Sequence, residues 1–116
     1  MKNTEILKKN YEFKNILKKG SFYSGKYIQA FICKNNKSLN YIGLAISAKT
    51  AHAVTRNNIK RLLRENYKNF EKNLNFGYSI VFLWNKKANI EDYDFYKIKE
   101  DMNNIFKKSK ILKSEE

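Results

Sequence analysis

Proline is absent from all 116 residues, cysteine and histidine occur once each, and no acidic residue stands between Glu12 and Glu65. A lone cysteine, Cys33, excludes an internal disulfide and a cysteine-rich zinc site; it fits a reducing, cytoplasmic setting, in which no disulfide-linked partner is expected. His52 has no second histidine with which to form a metal pair, and one histidine in a basic segment supports neither a Ser-His-Asp nor a Cys-His arrangement. No apolar run reaches the ~18 residues that a membrane span requires. The stretch from Met1 to Lys19 interleaves charges with Ile6, Leu7, Phe13, Ile16 and Leu17, unlike the unbroken apolar core of a signal peptide. Missing proline, with heavy use of Asn and Lys, reads as the codon bias of an AT-rich genome.

What is present is positive charge, unevenly placed. The chain carries 24 Lys+Arg against 11 Asp+Glu, a formal net charge of +13. Residues 1–64 hold 11 Lys and 3 Arg against only Glu5 and Glu12, a net of +12, and the remainder is nearly balanced. Such an excess costs self-repulsion that a polyanion offsets: nucleic acid first, an anionic membrane surface second. With 42% hydrophobic and 15% aromatic residues, the chain can still bury a modest core. The length suits one domain, and no Ser/Gly/Pro linker divides it. The expectation is a single domain over 1–116, frayed at 1–5 and 109–116.

Periodicity outlines six elements. Asn10 can cap a first helix that carries Phe13, Ile16 and Leu17 and stops at Gly20. Residues 26–34 and 40–48 alternate as strands around an Asn-Asn-Lys-Ser turn, which predicts an antiparallel pair. From Ala53 to Leu74 apolar residues recur at three- and four-residue steps, a helix ended by Asn75-Phe76-Gly77. Tyr78–Trp84 is a third strand, and Asp92 or Asp94 starts a last helix to about Lys108. The order α-β-β-α-β-α predicts an α+β, two-layer α-β sandwich with helices on a small sheet.

The densest chemical feature lies in the long helix. Every arginine of the chain, Arg56, Arg61 and Arg64, falls within nine positions. At ~100° per residue, Arg56, Asn57, Lys60, Arg61 and Arg64 share an arc of roughly 140°, while Ile59, Leu62, Leu63 and Phe70 take the opposite side. Like charges at this spacing repel by a few tenths of a kcal/mol per pair, a cost that a phosphate backbone would relieve. Guanidinium groups bind phosphate bidentately, and Asn57 can donate and accept at a sugar or base edge. The plainer alternative is a solvated basic face. Lysine with interspersed glutamate would serve that role, and a patch holding all the arginines with no acid before Glu65 suits it less well.

These residues also carry a resemblance. Ile42-Gly43-Leu44-Ala45-Ile46-Ser47, Lys49, Ala53-Val54-Thr55-Arg56-Asn57 and Lys60-Arg61-Leu62-Leu63-Arg64, with Leu7-Lys8-Lys9-Asn10 and Phe13, together resemble the bacterial ribonuclease P protein subunit. The resemblance covers most of the chain. It implies a left-handed β-α-β crossover, and a protein that assists rather than performs catalysis. In that family an RNA subunit removes the 5′ leader of precursor tRNA with bound Mg²⁺. By position, Arg56, Asn57, Asn58, Lys60, Arg61 and Arg64 fall on the segment contacting the catalytic RNA. Lys9, Phe13, Phe31 and Lys49 fall on the cleft that holds the leader. Three positions depart from the pattern: Asn58 replaces an arginine, Ala51-His52 replaces Gly-Asn, and Leu17 replaces an aromatic one turn after Phe13.

The residues themselves allow the same cleft. Tyr27 and Phe31 share one strand face, Lys9 and Lys14 flank Phe13, and Gly43, Ala45 and Ser47 would leave the neighbouring strand shallow. Aromatic rings beside lysines suit an unpaired RNA strand, because stacking tolerates any base and is worth ~1–3 kcal/mol per base. Periodicity alone is equally compatible with Phe13 and Phe31 as core. Glu91, Asp92 and Asp94 suit capping of a helix better than binding of a metal, and no residue is expected to be catalytic. The reading is therefore an RNA-binding subunit of ribonuclease P, partnered by its RNA and by precursor tRNA. Alternatives are a ribosomal-protein-like RNA binder with no role in cleavage, or a peripheral binder of anionic membrane.

Overall fold

The computed structural model describes residues 3–113. Eight elements follow in order: β1 (Thr4–Ile6), α1 (Asn10–Lys19), β2 (Ser21–Ser24), β3 (Ile28–Lys34), β4 (Asn40–Ala45), α2 (Ala53–Glu71), β5 (Tyr78–Trp84) and α3 (Phe95–Ser109). The strands form one sheet in the order β1-β4-β5-β3-β2. All six expected elements are present, and the α+β class holds. The two additional strands are short and lie at the sheet edges, where three or four residues give too little alternation to register as a period.

The expected hairpin between β3 and β4 does not form. β5 lies between them, antiparallel to β3 and parallel to β4. Each of those strands is apolar on both faces, and the centre of a sheet buries β5 better than an edge: Ile80, Val81 and Phe82 are fully buried. The parallel β4–β5 pair needs a crossover, which α2 supplies.

One face of the sheet is the main core. Ile28, Ala30, Ile32, Ile42, Ile80, Phe82 and Trp84 meet Ile59, Leu63 and Tyr67 of α2 and Ile98, Met102 and Phe106 of α3. The other face is partly covered by α1, whose Ile16 joins Leu7 and Val81, with Phe13 and Phe31 against them. Gly43 is what lets α1 sit so close. A Cβ there would stand 2.5 Å from Cε1 of Phe13. The small residue expected to leave the sheet shallow thus seats the Phe13 ring.

The predicted caps shift slightly. Lys9, not Asn10, is the N-cap of α1, and the Glu12 carboxylate accepts the Lys9 N–H at 3.2 Å. Asp94 caps α3, its carboxylate accepting the Lys97 N–H at 2.8 Å. At the far end of α1, Gly20 turns directly into β2, and a Cβ on it would lie 2.7 Å from the Ile16 carbonyl oxygen.

Neither described end is frayed as expected. β1 pairs in parallel with β4, and buried Thr4 shares a 2.7 Å hydrogen bond with the Tyr67 hydroxyl. At the other end Ile111 is buried and Leu112 bridges to Leu74. The apolar residues near both ends complete the edges of the core, which outweighs the entropy of ordering a few residues. The expectation for residues 1–2 and 114–116 lies outside the described residues.

Candidate RNA interface

Helix α2 presents the cationic stripe as its spacing requires. Ile59, Leu62, Leu63 and Tyr67 are buried, whereas Asn57 and Arg61 are exposed and Arg56, Lys60 and Arg64 are half-buried. Asn58, at the edge of the arc, is half-buried as well. The loop from β4 delivers this helix: the Thr50 N–H donates to the Ser47 carbonyl at 3.0 Å, and His52 becomes the N-cap with an extended backbone. No acidic residue occupies the first turn, so the helix N-terminus adds its partial positive charge to the stripe.

One arginine is already engaged. Arg61 Nη1 donates to Glu65 Oε1 at 2.8 Å across one helical turn, with both side chains about half exposed. The i,i+4 spacing was visible in the sequence, but only the rotamers decide whether such a pair closes. Arg56 differs: its Nε is enclosed without a hydrogen-bond partner, leaving the outer nitrogens as its route to an anion.

The four expected cleft residues are not gathered into one group. Phe13 and Phe31 pack against the same cluster, Leu7, Ile16 and Val81. They are core and surface at once, since both keep part of the ring accessible. Lys9 lies exposed at the α1 N-terminus, its ammonium 5.8 Å from the Tyr11 ring centre. Lys49 lines a separate depression of about 400 Å³ with Trp84, Lys86 and Ile90. Tyr27 is not on the Phe31 face: it packs toward α3, with Trp84 at 6.3 Å and the Lys97 ammonium over its ring.

A residue missed by the sequence reading joins Phe31 instead. Phe22 of β2 pairs in register with Phe31, the ring centres 5.0 Å apart, and is 51% exposed. The pair extends the aromatic surface from Phe13 to the sheet edge. Its only advance signal was a two-residue alternation in Ser21–Ser24.

Among the described residues, no three His, Cys, Asp or Glu side chains converge to hold a metal ion. Asp101, which the sequence left without a role, is buried in α3 and accepts the N–H groups of Lys26, Tyr27 and Ile28 at 3.1, 2.6 and 3.0 Å. This carboxylate ties α3 to the turn between β2 and β3 and is fully occupied there. Burial raises the Tyr67 phenol above its ordinary value, opposed by its hydrogen bonds from Thr4 and Asn40. That tyrosine is an anchor of the core. No helix among the described residues is long and apolar enough to cross a membrane.

Comparison with known proteins identifies the family. The ribonuclease P family model matches residues 1–110. The ribonuclease P protein component of Natranaerobius thermophilus is 36% identical over 112 residues, covering 97% of this chain and 96% of that protein. Its counterpart in Fusobacterium nucleatum is 41% identical over 108 residues, covering 91% and 97%. Among solved structures, the Staphylococcus aureus RNase P protein superposes with a TM-score of 0.78 at 28% identity, covering 92% of this chain and 96% of that one. A basic helix spread across a five-stranded sheet, matched along nearly its whole length, places this chain in the ribonuclease P protein family.

Proposed function

We propose that this chain is the RNA-binding subunit of ribonuclease P in the cytoplasm and that α2 grips the catalytic RNA while the Phe13–Phe31–Phe22 surface holds the 5′ leader of precursor tRNA. The observation that carries the reading is the α2 stripe: every arginine of the chain sits on one helical face, with the apolar face buried opposite. Phosphate contacts from Arg56, Lys60, Arg61 and Arg64 would position the RNA without reading its sequence, and Asn57 would add a sugar or base contact. Asn58, half-buried at the margin of the arc, would contribute least of the six.

On the aromatic side, single-stranded leader bases would stack on Phe31 and Phe22, with Lys9 and Lys49 as further contacts to the backbone of the strand. Bound to the RNA subunit, Mg²⁺ would supply electrophilic activation and a nucleophilic hydroxide. The protein would contribute substrate affinity, and by holding leader and catalytic RNA together it would raise the fraction of precursor correctly seated at low Mg²⁺.

The test is reconstitution. Added to a bacterial ribonuclease P RNA and precursor tRNA at low Mg²⁺, the full chain should increase leader cleavage and precursor affinity. No increase in either would overturn the reading in favour of an RNA binder unconnected with cleavage.

A further inference from the structure

The sheet face under α1 has three rows. Gly43, Val81 and Phe31 form the middle row, which Phe13 covers. Ala45, Leu83 and Gln29 form the row toward the Lys49 loop. Tyr41, Ser79 and Cys33 form the third, on the other side of the helix. Over this third row opens a groove of about 390 Å³ between α1 and the sheet. It shares neither Phe13, Phe31 nor Lys49 with the proposed leader surface, and it lies apart from the α2 stripe.

Three lysines line it, Lys19, Lys34 and Lys37, against one carboxylate, Glu12. That carboxylate is committed to the Lys9 N–H. Two tyrosines supply the walls: Tyr11, 66% exposed, and Tyr41. Each ring carries an ammonium near its face, Lys9 at 5.8 Å from Tyr11 and Lys37 at 5.1 Å from Tyr41. A π face with a mobile cation above it fits a nucleotide in two places at once. The base can stack on the tyrosine, and the flexible lysine stem can carry its charge from the ring to the phosphate. The volume is that of a small-ligand site, enough for about one nucleotide.

We propose that this groove is a second nucleotide-binding site, taking one unpaired nucleotide of an RNA strand with its base on Tyr41 and its phosphate between Lys34 and Lys37. Of the proposed leader residues only Lys9 reaches it, with its ammonium over the Tyr11 ring. Cys33, the only thiol in the chain, lines it and reports on its occupancy. Burial raises the thiol pKa, partly countered by Lys19, so alkylation is followed at mildly alkaline pH.

The experiment measures the rate of Cys33 alkylation by iodoacetamide in the full-length protein with an oligouridine tetranucleotide, uridine 5′-monophosphate or inorganic phosphate. The tetranucleotide should slow alkylation severalfold. Equal protection by the mononucleotide would assign the groove to free nucleotides, and weaker protection would assign it to a strand. Lys34→Gln with Lys37→Gln, both on exposed side chains, should abolish protection. Tyr41→Phe should retain it, and Tyr41→Ala should weaken binding about tenfold. Phe31→Ala should leave protection intact even where it impairs precursor binding, which separates this site from the leader surface. An alkylation rate unmoved by the tetranucleotide, equal protection by inorganic phosphate, or protection surviving the double lysine change would each overturn the proposal.

Discussion

Replacing Arg61 and Arg64 with alanine tests the α2 stripe through salt dependence. Each phosphate contact releases condensed counterions, and losing one lowers the slope of log K against log salt by about 0.7–0.9. Two contacts should flatten the slope by about 1.4–1.8, so the affinity lost between 50 and 200 mM salt should shrink by about 7- to 12-fold. The structure adds an asymmetry. Arg61 is paired with Glu65 at 2.8 Å, both about half exposed. Arg61 must therefore leave a surface ion pair worth about 0.3–0.5 kcal/mol before it meets phosphate. Glu65→Gln should then tighten binding to ribonuclease P RNA by about twofold with no new contact. Filter binding or fluorescence anisotropy across a salt series measures both variants against the unaltered chain. Identical slopes for the parent and the double alanine variant would refute contact between the stripe and RNA. Weaker binding by Glu65→Gln would mean that Glu65 orients Arg61 for its contact rather than competing for it.

Phe31→Ala should weaken binding of precursor tRNA more than of mature tRNA, by about 1–2 kcal/mol; equal losses in a competition assay would make Phe31 solely a packing residue. Asp101→Asn removes charge from a carboxylate accepting three backbone N–H groups and should cost about 2–4 kcal/mol, read as a lower midpoint in urea, with RNA affinity retained while the protein is folded. Tyr67→Phe removes the hydrogen bond to Thr4 and should cost about 1 kcal/mol at neutral pH. Burial raises the folded-state pKa of Tyr67 above that of the unfolded chain, so its contribution is full below about pH 10 and declines above it as the unfolded chain ionises first. Denaturation midpoints measured above pH 10 should therefore fall more steeply for the parent than for Tyr67→Phe.

Long periodic segments were legible because the backbone imposes their spacing. The α2 stripe follows from 3.6 residues per turn, and its apolar side from Ile59, Leu62 and Leu63 recurring on the opposite face. β5 was legible to the residue, since a short apolar run with Ile80, Phe82 and Trp84 alternating against Val81 and Leu83 reads as a buried strand. β1 and β2 were not, because three or four residues carry no period. Their stability comes from partners outside the segment itself, the distant Asn40–Ile42 for β1 and the adjoining Gln29–Ile32 for β2. The β3–β4 hairpin was a reasonable local inference that lost to burial of β5 between those strands.

By itself the sequence determined where the charge lies and which helix face carries it, because both follow from residue order and helical geometry. The membership of the aromatic surface was decided only in three dimensions. Phe13 finds Gly43 across thirty residues of chain, Phe22 finds Phe31 across a strand pair, and Tyr27 is drawn to α3. Side-chain packing selects among such neighbours by shape and burial, which no local period records. The same packing placed Tyr11, Tyr41 and three lysines around one groove, though nothing in their sequence spacing links them.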